Sequence, residues 1–174
     1  MFSRAGIDGV CREIAHRGGE RMVEWTKRNT PIGHQPFAEN YVPGHLRASI
    51  EQKLLVVHPS ARGMVYESGA ETNVDYAPYV EEGTGLYGPY RRMYEIRPKN
   101  PDGWLRWIDP HTGQPVFAKR VMHPGSPGQH MFAIGAHMTE DEFNIFAERI
   151  VAAWARRRER EFEAQPRIHI GRVA

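Results

Sequence analysis

Proline and glycine are spread so unevenly that they divide this chain into three zones. Of its 13 prolines, 12 lie between Pro31 and Pro127, and 11 of its 17 glycines lie between Gly33 and Gly128. Neither residue occurs from Met138 to Ala164. Proline fixes φ and withholds an amide donor, and glycine weakens regular elements through its conformational freedom. The distribution predicts a helix, then a middle of short strands and turns, then a second long helix.

The first zone, residues 4–29, carries apolar side chains at Ile7, Val10, Cys11, Ile14, Met22 and Trp25. Steps of three and four favour an amphipathic helix, with Cys11 packed in its apolar stripe. Gly18 and Gly19 would each cost about 1 kcal/mol relative to alanine, which suggests a kink or a close helix contact. A short helix follows Pro43, with Leu46 and Ile50 on one face. In the middle zone, residues 54–58 and 63–67 read as paired strands with Pro59 and Ser60 in the turn. Residues 90–97, 104–109 and 116–122 read as a three-strand meander, reversed at Asn100-Pro101-Asp102-Gly103 and Asp109-Pro110-His111-Thr112-Gly113. Thr139 with Glu142 has the form of a capping box that opens the last helix. From there Phe143, Phe146, Ala147, Ile150, Val151 and Trp154 make one continuous stripe. The 174 residues suit one α+β domain over 1–174: a small, mainly antiparallel sheet packed against two long terminal helices, with an irregular tail at 165–174.

Composition removes several function classes. Lys and Arg number 23 against 21 Asp and Glu, a formal charge of +2, too balanced for a dedicated duplex-binding domain. No apolar run approaches the roughly 18 residues that a membrane span needs. The opening Met1-Phe2-Ser3-Arg4 has no apolar signal region, so export is not expected. A lone cysteine, Cys11, excludes intramolecular disulfides and multi-cysteine zinc sites, and fits a reducing cytoplasm.

The candidate chemical motifs lack the context that their chemistry needs. Gly83-Thr84-Gly85-Leu86-Tyr87-Gly88 spells G-x-G-x-x-G, but a phosphate site requires that loop to open a helix. Here Glu81 and Glu82 precede it and a strand-like segment follows, so it reads as a mobile glycine loop. His123, His130 and His137 recur every seven residues, yet Pro124, Gly125, Pro127 and Gly128 between the first two prevent one helix from aligning all three. Glu81 and Glu82, in an extended segment, would point to opposite sides, which is poor geometry for shared acid and base work. Pro101-Asp102 follows Glu51-Gln52-Lys53, the reverse of the order in a metal-dependent nuclease. The arginine-rich run at 156–161 complements a helix C-terminus, with a residual reading as a contact for nucleic acid or an acidic partner.

Three segments, in order, resemble the head–tail joining (neck or tail-completion) proteins of long-tailed bacteriophages. The first is Gly44-His45-Leu46-Arg47-Ala48-Ser49-Ile50, similar to that family's Thr-Gly-x-Leu-Arg-x-Ser-Ile. The second is Tyr76-Ala77-Pro78-Tyr79-Val80-Glu81-Glu82-Gly83-Thr84, the most distinctive run. The third is His123-Pro124-Gly125, followed by Gln129-His130-Met131-Phe132 and Ala136. Pro43, Glu82 and His130 depart from the family pattern, the last standing where proline is common, and residues 90–122 carry extra length. The motifs also make physical sense alone. Gly83 can take a positive φ, Gly44 frees the backbone before a helix, and Pro78 makes the second segment an edge or a bend.

The resemblance implies a structural virion protein at the head–tail junction, made in the host cytoplasm, and not an enzyme. It implies a homo-oligomeric ring that joins the DNA-filled head to the tail. Its partners would be copies of itself, the connector or stopper proteins, and the tail terminator or tail-tube protein, with non-specific proximity to genome DNA. No cofactor, metal or membrane is implied. The alternatives are a tail terminator ring capping the tail tube and, in another class, a small hydrolase or nuclease.

Overall fold

The computed structural model describes residues 4–33, 42–60 and 63–164. In chain order the elements are α1 (Arg4–Asn29), α2 (His45–Ser49), β1 (Glu51–Ser60), β2 (Gly63–Glu71), α3 (Ala77–Glu82), β3 (Tyr94–Ile96), β4 (Leu105–Ile108), β5 (Pro115–Ala118), β6 (Val121–His123) and α4 (Met131–Glu163). The fold is α+β, and every strand pairing is antiparallel. By their contacts the residues form two compact units, each discontinuous in sequence. No helix among the described residues is long and apolar enough to cross a membrane.

The first unit comprises Met1–Arg28, Ile50–Glu71 and Ile134–Ala174. Here two long helices pack on the β1–β2 ladder, which runs from Glu51↔Glu71 to Ser60↔Gly63 with a bulge between Lys53 and Val56. Pro59 and Ser60 lie inside β1, opposite Met64 and Gly63, and not in the turn expected there; residues 61–62 lie outside the described residues. Glycine sets two close approaches. At Gly19 a Cβ would collide with the Ser68 hydroxyl and lie 2.6 Å from Gln52 Nε2, so α1 meets the ladder backbone-first. Gln52 Nε2 fills that contact, donating to the His16 carbonyl at 2.8 Å and to Ser68 Oγ at 2.9 Å. At Gly135 a Cβ would sit 3.0 Å from the Thr26 backbone nitrogen, so α4 and α1 touch through small residues.

Nearby, Phe143 and Phe146 stack edge-to-face at 5.1 Å, and a Cβ on Gly18 would lie 3.8 Å from each ring. Arg21 donates to Glu142 Oε2 from Nε at 2.8 Å and from Nη2 at 2.5 Å, while also pairing with Glu24. Those hydrogen bonds hold the Glu142 carboxyl below the usual carboxylate range and raise Arg21 further above its own. Cys11, expected in the packed stripe, is exposed, because the buried side of α1 is carried by Gly19 and Thr26 instead.

Asn29–Ser49 and Thr72–Ala133 form the second unit. Its core is Leu46, Ala77 and Met131, packed by Val74, Val80 and Phe132. Burying a Leu46 or Met131 side chain is worth about 1.5–3 kcal/mol. The expected meander is replaced by two nested pairings. β4 pairs with β5, as Leu105↔Ala118 through Ile108↔Pro115, whereas β3 pairs with β6, as Tyr94↔His123 through Ile96↔Val121. Lys119 and Arg120 break residues 116–122 into two strands with different partners. The reversal between β4 and β5 uses the expected chemistry: Asp109 Oδ1 accepts from the amides of His111 at 2.8 Å and Thr112 at 3.3 Å, and Gly113 takes a φ of +69°.

Two expected element bounds need correcting. The last helix starts at Met131 rather than Thr139. Thr139 is buried mid-helix, and its hydroxyl donates 2.7 Å to the Gly135 carbonyl one turn back, so it caps nothing. The segment from Tyr76 to Glu82 is neither edge strand nor bend but the helix α3, with Pro78 in its first turn. There proline's missing N–H is one that the helix leaves unbonded in any case.

Candidate functional site

Every one of the three resembling segments contributes to the second unit, and that unit's core is where they meet. Gly44, at φ +76°, turns the chain into α2, and its carbonyl accepts from Ala48 N at 2.9 Å. Leu46 then enters the core at 5% exposure. Arg47 reaches back and donates from Nε to the Thr30 carbonyl at 3.0 Å. Ser49 closes α2 by donating to the Leu46 carbonyl at 2.8 Å, and it lies 2.6 Å from Thr72 Oγ1.

From the second segment, Ala77 is buried beside Leu46 in that core, while Tyr79 is 64% exposed and Tyr76 is 44% exposed. Glu81 points at the start of α4. Its Oε2 accepts from Phe132 N at 2.9 Å and its Oε1 from Ala133 N at 3.1 Å. A carboxylate on those amides satisfies donors that a helix cannot bond itself and complements the helix dipole. Glu82, next to it, is exposed. The two acids therefore divide into a cap and a surface charge, not an acid and base pair.

The glycine loop is fastened rather than loose. Gly83, at φ +82°, ends α3, and its N–H bonds the Tyr79 carbonyl at 3.1 Å. Thr84 N donates to the Ser126 carbonyl at 2.8 Å, Ser126 N donates to Thr84 Oγ1 at 3.0 Å, and Leu86 N donates to the Pro124 carbonyl at 2.7 Å. A Cβ on Gly83 would lie 2.6 Å from Gly128 N and 2.7 Å from the Ser126 carbonyl oxygen. The loop thus lies at the carbonyl end of a helix, with the Thr84 and Leu86 amides bonded to the third segment, that of Gly83 to Tyr79, and those of Tyr87 and Gly88 to the Thr84 carbonyl, whereas a phosphate site needs such a loop at a helix N-terminus.

In that third segment, His123 Nδ1 accepts from Gly125 N at 2.9 Å, and its ring tilts 41° against Tyr94 at 5.4 Å. Gly125, at φ +94°, lets the chain pass Thr84 backbone to backbone. Gln129 N and His130 N donate to the Val80 and Glu81 carbonyls at 2.8 and 3.1 Å. His130 takes φ +51°, which proline's ring forbids, so this turn accepts histidine where proline could not stand. Phe132 packs on the core beside fully buried Met131. Ala136 is exposed and belongs to the first unit. The seven-residue histidine recurrence makes no cluster: His137 is exposed beside Asp141 at 3.8 Å, and no group of three metal-binding side chains occurs among the described residues.

A groove of about 730 Å³ opens between α3 and the loop, walled by Tyr79, Glu82, Gly85, Tyr90, Arg92 and Tyr94. Arg92 lies over the Tyr90 ring, 5.8 Å from its centroid. Sequence reading missed the exposed face of the β4–β5 ladder. Its signal was the alternation Trp104, Arg106, Ile108, which a strand places on one side. No family model, no curated protein and no solved structure matches this chain.

Proposed function

We propose that this chain is a structural virion protein of a tailed bacteriophage, forming a ring at the head–tail junction that joins the DNA-filled head to the tail. The observation that carries the reading is the convergence of the three resembling segments. They lie far apart in sequence, yet Leu46, Ala77 and Met131 share one core, and the Glu81 carboxylate holds the start of the third segment's helix. Residues that recur together in a family need a common physical reason, and mutual packing supplies one. What they build is a frame of caps, positive-φ glycines and backbone pairings, which positions surfaces. The work in this reading is done by interfaces with other copies, with connector or stopper proteins, and with the terminator or tube of the tail.

Complementation of a phage lacking this gene tests it, with lysates viewed by electron microscopy. The outcome that supports the reading is filled heads beside separate tails of normal length without the protein, and joined particles with it. Joined, infectious particles in its absence would overturn it, and tails of uncontrolled length would point to the terminator role instead.

A further inference from the structure

Charge changes sign abruptly inside the middle zone. Residues 64–89 contain five acids (Glu67, Glu71, Asp75, Glu81, Glu82) and no lysine or arginine. Residues 90–123 contain seven cations (Arg91, Arg92, Arg97, Lys99, Arg106, Lys119, Arg120) against Glu95, Asp102 and Asp109. In the second unit the two signs are displayed on separate, exposed patches. On the β4–β5 ladder, Arg106 and Ile108 face the same side as their partners Phe117 and Pro115, and all four are exposed. Trp104 and Phe117 expose 60% and 57% of their surface. Cations cover these rings, with Lys119 Nζ 4.6 Å from the Trp104 centroid and the Arg106 guanidinium 5.9 Å from that of Phe117. An apolar centre of Trp, Phe, Ile and Pro carrying Arg and Lys has the make-up of a protein-binding face, in which buried aromatics and arginine contribute most of the affinity.

The other patch is its counterpart. On α3, Tyr79 and Glu82 fall at i and i+3, on one side of the helix, Asp75 stands immediately before its N-cap, and all three are exposed. Glu82 and Tyr79 wall the 730 Å³ groove beside the Tyr90 and Tyr94 rings. Glu81 is spent on α4, but neither Asp75 nor Glu82 has an ion-pair partner among the described residues. Arg92 on the opposite wall is held over Tyr90.

From this complementarity we infer that the Trp104, Arg106, Phe117, Lys119 face of one copy docks on the Asp75, Tyr79, Glu82 face of the next. The inference rests on the ring reading and specifies its contact. Two different patches meet, so the contact is head-to-tail, the kind that repeats around an axis to close a ring. Lys119 and Arg106 approach Glu82 and Asp75, and Tyr79 lies against the Trp104 and Phe117 rings.

Sedimentation of the full chain over a concentration series, with salt varied, tests the contact. The wild type should self-associate, less so at high salt. Arg106→Glu with Lys119→Glu should weaken association at least about tenfold, and so should Asp75→Arg with Glu82→Arg. All four side chains are exposed, and circular dichroism and thermal melts verify that each variant folds. In an equimolar mixture every contact between unlike variants pairs opposite charges, alternately as in the wild type and with the signs reversed, so the mixture should associate to within about threefold of wild type. A wild type that stays monomeric at every concentration, reversals without effect, or a mixture that stays monomeric would each overturn the inference. So would a monomeric wild type that binds a single-stranded or duplex oligonucleotide through Arg106 and Lys119, which would assign the face to nucleic acid. The phage assay separates this contact from the reading beneath it. Charge-dependent association together with joined particles lacking the protein would leave the contact standing and remove the neck role. Charge-independent association together with protein-dependent joining would do the reverse.

Discussion

Replacing Glu81 by alanine isolates the link between α3 and α4. The carboxylate accepts from Phe132 N at 2.9 Å and Ala133 N at 3.1 Å. Removing a side-chain cap typically costs about 0.5–2 kcal/mol, and an acid at a helix N-terminus adds about 0.3–1 kcal/mol through the dipole. Glu81 is half-buried, so solvent screens part of the second term and water can replace part of the first. The expected loss is about 1–2 kcal/mol, a fall in Tm of roughly 2–8 °C for a chain this size. Glu81→Gln keeps an acceptor without the charge and should lose about half as much. Glu82→Ala, one residue on and exposed, should stay within about 0.5 kcal/mol of wild type. Urea titrations of all three variants provide the measurement. Equal losses at 81 and 82, or no loss at 81, would refute the capping assignment.

Three further outcomes follow from the geometry. Gly83→Ala should destabilise by about 1–3 kcal/mol by denaturant titration, since φ is +82° and the new Cβ meets Gly128 N and the Ser126 carbonyl; unchanged stability would refute the tight pairing there. Gly19→Ala, which in an open helix would gain about 1 kcal/mol, should instead lower Tm because its Cβ enters the Ser68 and Gln52 contact, and a rise would mean that α1 stands clear of the ladder. Glu142 has its folded pKa lowered by Arg21, so its stabilisation is present above the unfolded carboxyl value and lost as pH falls through the folded one. The difference between wild type and Glu142→Gln in urea titrations should therefore be at most about 1 kcal/mol at neutral pH, as the pair is one-third exposed, and should shrink below pH 4.

How much the sequence disclosed depended on how local the deciding interaction was. The long helices were readable because the stretch free of proline and glycine and the apolar steps lie within the elements themselves. The reversal at residues 109–113 was readable because Asp109 bonds its own near neighbours. The start of α4 was not, since the residue that caps it is 51 positions upstream of Phe132, whereas Thr139 and Glu142 imitate a capping box nearby. Pro78 misled for a related reason. A missing donor argues against a central strand, but it suits a first helical turn equally well, and only the packing of Ala77 and Val80 on Leu46 and Met131 decides between them. The meander failed on register, because nothing local says that Lys119 and Arg120 separate two strands with different partners. At the candidate site the glycines at 44 and 83 were legible from their conformational freedom, but the convergence of the three segments was not.

The discontinuity of the two units has a consequence for synthesis. The second unit is complete once Ala133 has emerged, whereas Met1–Arg28 must wait for Ile134 and the residues after it. At about 5–20 residues per second, the 106 residues from Arg28 to Ile134 take roughly 5–20 seconds to translate. During that interval α1 presents the surface of Gly18 and Thr26 with no α4 to cover it, though the β1–β2 ladder is already available at Gly19. The order of emergence thus favours docking of α1 on the ladder first and closure by α4 last, so the final helix made is the one that locks the first.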